Sequence, residues 1–302
     1  LDTYDEWSED PQFVEDVMRF LDNVMNDFIE RAPDEFAHAK YSAMRERSVG
    51  LGVMGLHSYF QKKNIPFGSV MSKVWNKKVF KNIQEKVDAA SKSLAEERGA
   101  CPDAEEYGMK ERFSNKTAIA PTASISIICG GSSPGIEPIA ANSYTHKTLS
   151  GSFNVRNKYL KKILSKYKKD TDDVWSSITT NQGSVSHLDF LTAEEKDTFK
   201  TAFEIDQRWI VELGADRTPH ISQAQSINIF IPADIHKKDL HNLHFQAWKK
   251  GLKSLYYCRS KSIQRAENIN KGSSTDVTKN VYSQGQESNN ESNNYEECLS
   301  CQ

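Results

Sequence analysis

Long apolar runs are missing from this 302-residue chain. No stretch approaches the ~18 consecutive apolar residues that a spanning helix needs, and mean hydropathy is −0.65. A dominant charge is missing too. The 39 Lys and Arg stand against 41 Asp and Glu, a net charge of −2, which removes the field needed for non-specific capture of nucleic acid or an anionic membrane. Cysteine is scarce: Cys101, Cys129, Cys258, Cys298 and Cys301 make an odd, sparse set that excludes a disulfide-stapled extracellular scaffold. The chain also lacks the basic, apolar and small-residue blocks of a secretory leader, opening instead with Leu1-Asp-Thr-Tyr-Asp-Glu6. These absences point to a cytoplasmic protein without nucleic-acid or membrane partners. With 37% apolar residues, the length suits two domains of roughly 100 to 200 residues each. There is no initiator Met, as expected of a processed chain or a piece of a longer one.

Periodicity supplies the positive reading. Phe13, Val17, Phe20, Leu21, Val24 and Phe28 recur at helical spacing, predicting an amphipathic helix over Pro11 to Ile29 with Asp10 as N-cap. Ile83, Val87, Ala90 and Leu94 predict a second helix from Ser72 to Arg98, stopped by Gly99. Between them, Arg45 to Phe60 reads as a helix whose Gly50, Gly52 and Gly55 admit a closely packed neighbour. Thr117 to Cys129 reads as a strand running into a loop and a short helical or extended run, broken at Gly130 and Gly131. Further helices are expected over Arg156 to Lys168, Thr192 to Leu213 and His236 to Lys250, and strands over Ser226 to Ile231 and Leu252 to Cys258. From Ile269 on, almost nothing apolar offsets the entropy of ordering, which predicts a flexible, mildly acidic tail.

Four features carry potential chemistry. The tail ends in Cys298-Leu-Ser-Cys301, an arrangement suited to thiol exchange because both sulfurs are accessible and adjacent. As a random coil, the segment from Ile269 to Cys298 reaches about 30 Å root-mean-square. The alternative is half a zinc site, with His241 and His244 as the nearest histidine pair. Pro121-Thr-Ala-Ser-Ile125 sets small and hydroxyl residues at a strand-to-helix junction, which serves as an N-cap and turn or as a phosphate cradle. Tyr256 and Tyr257 are adjacent on an expected strand, so their rings should face opposite sides; tandem tyrosines usually pack, but a phenol can also relay an electron. The lysines at 158, 161, 162, 166, 168 and 169 read as the solvated face of a helix.

Taken together and in order, Arg47-Ser-Val-Gly-Leu-Gly-Val-Met-Gly55, Pro121-Thr-Ala-Ser124, Gly135-Ile-Glu-Pro138, Leu149-Ser-Gly-Ser-Phe153, Asp206-Gln-Arg-Trp-Ile210 and Ala247-Trp-Lys-Lys-Gly-Leu-Lys-Ser-Leu-Tyr-Tyr257, followed by the terminal cysteine pair, resemble the large subunit of class I aerobic ribonucleotide reductase. The resemblance spans nearly the whole chain. It implies an α/β fold: the C-terminal part of a ten-stranded α/β barrel over residues 1–145, a small C-terminal α/β domain over 146–268, and a redox tail over 269–302. It implies that Pro121, Thr122, Ala123, Ser124 and Ile125 cradle the diphosphate of a ribonucleoside diphosphate. Tyr256 and Tyr257 would transfer a radical, and Cys298 and Cys301 would re-reduce the active-site disulfide.

The same resemblance implies what lies elsewhere. The thiyl-forming cysteine of the family sits in an Asn-x-Cys-x-Glu run, and none occurs here. Catalysis would therefore need an N-terminal large-subunit chain, which would also bind the ATP and dNTP effectors. A diiron small subunit would carry the tyrosyl radical, and thioredoxin or glutaredoxin would be the reductant. This chain itself is expected to bind no metal or cofactor. The alternatives are a non-catalytic remnant of the fold and an anaerobic glycyl-radical relative; the latter lacks its C-terminal glycine motif here.

Overall fold

The computed structural model describes residues 1–148 and 151–260. Its elements in order are α1 (Tyr4–Trp7), α2 (Phe13–Arg31), α3 (Ala37–Glu46), α4 (Leu56–Lys62), α5 (Val70–Arg98), α6 (Pro102–Glu106), α7 (Ala123–Ile128), β1 (Ser143–Thr148), β2 (Gly151–Arg156), α8 (Lys158–Lys166), α9 (Asp172–Thr180), α10 (Ala193–Thr198), α11 (Gln207–Arg217), β3 (Ile229–Ile231), α12 (Lys237–Lys249) and β4 (Cys258–Ser260).

The long helix α5 begins in a reciprocal cap, Ser72 N–H donating to Ser69 Oγ and Ser69 N–H to Ser72 Oγ, and ends at Gly99 in the left-handed region. Val14 and Met18 of α2 join Ile83, Val87 and Leu94 of α5 in the main core. α2 starts two residues later than its apolar pattern suggests. Asp10 Oδ1 accepts the Gln12 N–H, so it closes the turn that leads into the helix rather than capping it.

A row of four parallel extended segments organises the centre. Leu51 bridges Thr117, Ile119 bridges Gln225, and β3 pairs with β4 in the register Ile229 to Cys258. The helix expected over Arg45 to Phe60 is therefore broken. Arg47 leaves α3 at φ 45°, with its guanidinium drawn to Asp22, and residues up to Gly55 run extended before α4 begins. The glycines do admit a close neighbour, since a Cβ on Gly52 would meet the Ala118 carbonyl oxygen at 2.5 Å. That neighbour is a strand backbone rather than a helix.

Three other boundaries differ from the periodic reading. Thr192 to Leu213 forms two helices, because Phe199, Ala202 and Ile205 turn into the core between them and Asp206 caps α11. Ser226 to Ile231 is buried on both faces, Asn228 and Phe230 included, as befits a strand flanked on both sides. Among the described residues, regular pairing after α12 covers Cys258–Ser260, although Tyr256 N–H already donates to the Ile227 carbonyl. α8 is capped by the Asn157 side chain and buries Tyr159, Leu160 and Leu164 while its lysines face outward. β1 and β2 form an antiparallel hairpin. Among the described residues no helix is long and apolar enough to cross a membrane.

Candidate functional site

The segment Pro121–Ile125 sits where the Thr117–Ile119 strand runs into α7. Thr122 is the N-cap residue, yet its side chain does not bond the helix; Oγ1 accepts the Gly135 N–H at 2.7 Å. The turn Pro134 to Glu137, closed by Glu137 N–H donating to the Pro134 carbonyl, is thereby braced against the start of α7. Helix geometry leaves the Ala123 and Ile125 amides without intrahelical acceptors, at the positive end of the helix. Ser124 and Ile125 are exposed. Ala123 and Ser126 also line a cavity of about 600 Å³ between α7 and the β1–β2 hairpin.

Beneath that cavity lies a polar network that periodicity does not reveal. Buried His57 accepts the Ile139 N–H at Nδ1, Gln61 lies 3.3 Å from its other ring nitrogen, and Asn157 Nδ2 donates to Gln61 and Asn142. Burial pushes the His57 pKa down to about 3, so the ring is neutral. The spacing of His57 and Gln61, one helical turn apart on α4, is the only trace of this network in the sequence.

Tyr256 and Tyr257 do not point to opposite faces as strand alternation predicts. Their ring centroids are 4.1 Å apart with planes inclined by 50°, because the chain is not yet in regular strand geometry at this point. Both rings are half-exposed. The backbone, in contrast, is pinned: Tyr256 N–H donates to Ile227 O, Tyr257 N–H to Asn228 Oδ1, and Ile229 N–H to Tyr257 O. The Arg259 guanidinium carbon lies 5.9 Å from the Tyr257 ring centroid.

The parallel register brings two of the three motifs together. Ile119 bridges Gln225, which sets Pro121 level with Ile227, and the Ile227 carbonyl receives the Tyr256 N–H from the other side. The start of the α7 loop and the tyrosine pair thus flank one buried strand. Cys298 and Cys301 lie outside the described residues, as do Leu149 and Ser150 of the Leu149-to-Phe153 motif. Cys101 is buried, and Cys129 and Cys258 are exposed. His244 Nδ1 sits against the Leu240 carbonyl within α12. Among the described residues no three His, Cys, Asp or Glu side chains are grouped to hold a metal ion.

Comparison with known proteins bears on the family and the fold. The family model described as ribonucleotide reductase, barrel domain, matches residues 3–111 and 100–258. The ribonucleoside-diphosphate reductase large subunit of Invertebrate iridescent virus 6 is 48% identical over 273 residues, covering 89% of this chain and 28% of that protein. The corresponding subunit of Invertebrate iridescent virus 3 is 43% identical, covering 91% of this chain and 44% of that protein. Among solved structures, the Actinobacillus ureae class Id ribonucleotide reductase alpha subunit superposes with a TM-score of 0.80 at 40% identity, covering 87% of this chain and 48% of that one. The chain thus spans less than half the length of each of these three relatives.

Proposed function

Because this chain belongs to the ribonucleotide reductase barrel-domain family, we propose that it is the C-terminal portion of a ribonucleoside-diphosphate reductase large subunit, acting in the cytoplasm with an N-terminal large-subunit chain and a diiron small subunit. The overall reaction removes the 2′-hydroxyl of a ribonucleoside diphosphate as water. Two electrons and two protons come from a thiol pair, which closes to a disulfide.

In this reading Pro121 and the main-chain amides of Thr122, Ala123, Ser124 and Ile125 hold the diphosphate at the α7 N-terminus, where the helix dipole favours an anion. Tyr257 and Tyr256 each lose and regain one electron and one proton, passing the oxidising equivalent toward a cysteine on the N-terminal chain. The small subunit supplies that equivalent when docked. Cys298 and Cys301 reduce the resulting disulfide by thiol exchange and are themselves reduced by thioredoxin or glutaredoxin. The ATP and dNTP effectors bind the N-terminal chain.

The observation that most supports this reading is the shared register that sets the Pro121 loop and the tyrosine pair on either side of the strand through Ile227. The test is reconstitution of dCDP formation from CDP with all three chains. Tyr256→Phe keeps the ring but removes the phenolic hydroxyl, so turnover should be lost with assembly intact; full turnover would reject the relay. A monodisperse monomer with no affinity for the N-terminal chain would reject the divided subunit.

A further inference from the structure

Helix α4 starts without a cap of its own. Its N-cap residue is Gly55, which has no side chain and sits at φ 82°, so the amides of the first turn need acceptors from elsewhere. A loop 75 residues further along the chain supplies them. Gly55 N–H donates to the Ser133 carbonyl at 2.8 Å, Leu56 N–H to the Gly135 carbonyl at 3.3 Å, and Ser58 N–H to Ser133 Oγ at 3.1 Å. Ser133 N–H in return donates to Ser58 Oγ at 2.8 Å. This is the reciprocal pattern of a capping box, with Ser58 at the third helical position and Ser133 standing in for the missing N-cap side chain. Both serines are buried, Ser133 at 1% exposure and Ser58 at 4%, so neither amide has water to turn to once its partner is removed.

Gly135 links this clamp to α7. Its carbonyl is held by Leu56, while its N–H donates to Thr122 Oγ1 at 2.7 Å. That bond occupies a hydroxyl which, at an N-cap, would otherwise accept an amide of its own helix, and α7 accordingly begins without a side-chain cap. Gly135 lies at φ 44°, and a Cβ there would meet the Ala120 carbonyl oxygen at 3.3 Å, so the loop is seated closely against the residues that lead into Pro121.

We propose that Ser133 is a positioning residue for the nucleotide: by capping α4 from a distant loop it fixes Gly135, and Gly135 holds the Thr122 hydroxyl away from the α7 amides. This rests on the reading of residues 121–125 as the diphosphate cradle. Ser133 touches neither substrate nor reacting atoms in this role. When its hydroxyl is lost, Gly135 loosens, and Thr122 Oγ1 is free to turn onto its own helix and compete with the diphosphate for those amides.

The test measures kcat and KM for CDP in the assembled three-chain enzyme. Ser133→Ala removes the acceptor of the Ser58 N–H with little change of shape, while the bonds from Gly55 and Leu56 to the loop carbonyls remain. KM should rise about 3- to 10-fold, the scale of one net hydrogen bond, with kcat within about twofold of wild type, as expected when uniform binding is lost. Thr192→Ala, which opens the capping box of α10, controls for stability alone: it should lower the urea midpoint and leave KM unchanged. An unchanged KM in Ser133→Ala overturns the proposal, as does an equal rise in Thr192→Ala. Should Ser133→Ala not assemble, Ser58→Ala carries the test by depriving the Ser133 N–H of its acceptor, with the same expected rise and the same refuting results. Cytidine, which lacks the diphosphate, separates the two claims. If it competes with CDP in the wild-type enzyme with an inhibition constant equal to the KM of CDP, the cradle reading fails; if CDP is strongly preferred while Ser133→Ala leaves KM unchanged, only the positioning role fails.

Discussion

Replacing Asp22 by Asn should be among the most damaging isosteric changes in this chain. The Asp22 carboxylate is fully buried and receives Arg47 Nη2 at 2.6 Å, Arg98 Nη1 at 2.9 Å and Arg112 Nε at 2.9 Å. These arginines come from the end of α3, the end of α5 and the loop before Thr117, so one carboxylate ties α2 to three other parts of the structure. Burial alone would raise its pKa, but the hydrogen bonds from Arg112, Arg47 and Arg98 outweigh it and hold the carboxyl below the ordinary range. Asn keeps one acceptor, removes the charge, and sets an NH₂ against guanidinium donors. Breaking a buried charge pair from one side costs about 3–5 kcal/mol, which at about 2–4 °C per kcal/mol for a domain of this size lowers Tm by on the order of 10 °C. The assay is urea and thermal unfolding of the full chain at pH 7 and at lower pH. A depressed native pKa contributes stability above the unfolded value of about 3.9, lost as pH falls through the native value. The gap between wild type and Asp22→Asn should therefore close in acid. A loss below about 1 kcal/mol at pH 7, or a gap that persists at low pH, would refute the reasoning.

Gly52→Ala places a methyl 2.5 Å from the Ala118 carbonyl oxygen and should force the Leu51–Thr117 bridge apart, at about 1–3 kcal/mol in a urea titration. His57 is neutral and buried, with its pKa lowered to about 3. The unfolded chain gains this proton first, so from pH ~6.5 down to 5 the group should remove about 2 kcal/mol of stability, a slope that His57→Gln abolishes if this site is its source. Thr122→Ala removes the acceptor of the Gly135 N–H; losing about 0.5–1.5 kcal/mol should raise KM for CDP by about 2- to 12-fold in the assembled enzyme, with assembly kept. Changing Cys298 and Cys301 to Ser should stop multiple turnover with thioredoxin but spare a single round, and partly spare activity with a small dithiol. Undiminished turnover with thioredoxin would remove the shuttle role.

Helices whose register is set by neighbours in sequence are legible in the sequence itself. α5 carries its apolar stripe, its stop at Gly99 and nearly its full length in local pattern, and α12 likewise ends by Gly251. The family was also written in the linear order of short motifs, because loops that bind and position depend on strings of residue types rather than on periodic faces. What periodicity got wrong was every place where a distant segment competes with local preference. Arg47 to Gly55 falls within the stretch expected to be helical but does not continue α3, since Thr117 and Ala118 offer it a strand edge and Asp22 captures Arg47. The tyrosine rings meet because the chain there bends before its strand begins.

Residue type and spacing alone marked the Pro121–Ile125 loop, the tyrosine pair and the paired thiols as places where chemistry is possible, because hydroxyls, phenols and thiols carry their reactivity with them wherever they are placed. Only tertiary structure decided which of them are neighbours. The Ile119–Gln225 bridge and the bond from Tyr256 to Ile227 join segments more than a hundred residues and about thirty residues apart, respectively. Burial of Asp22 beside Arg47, Arg98 and Arg112 has the same origin. A carboxylate's environment is a property of the atoms around it, and those atoms come from three separate stretches of chain.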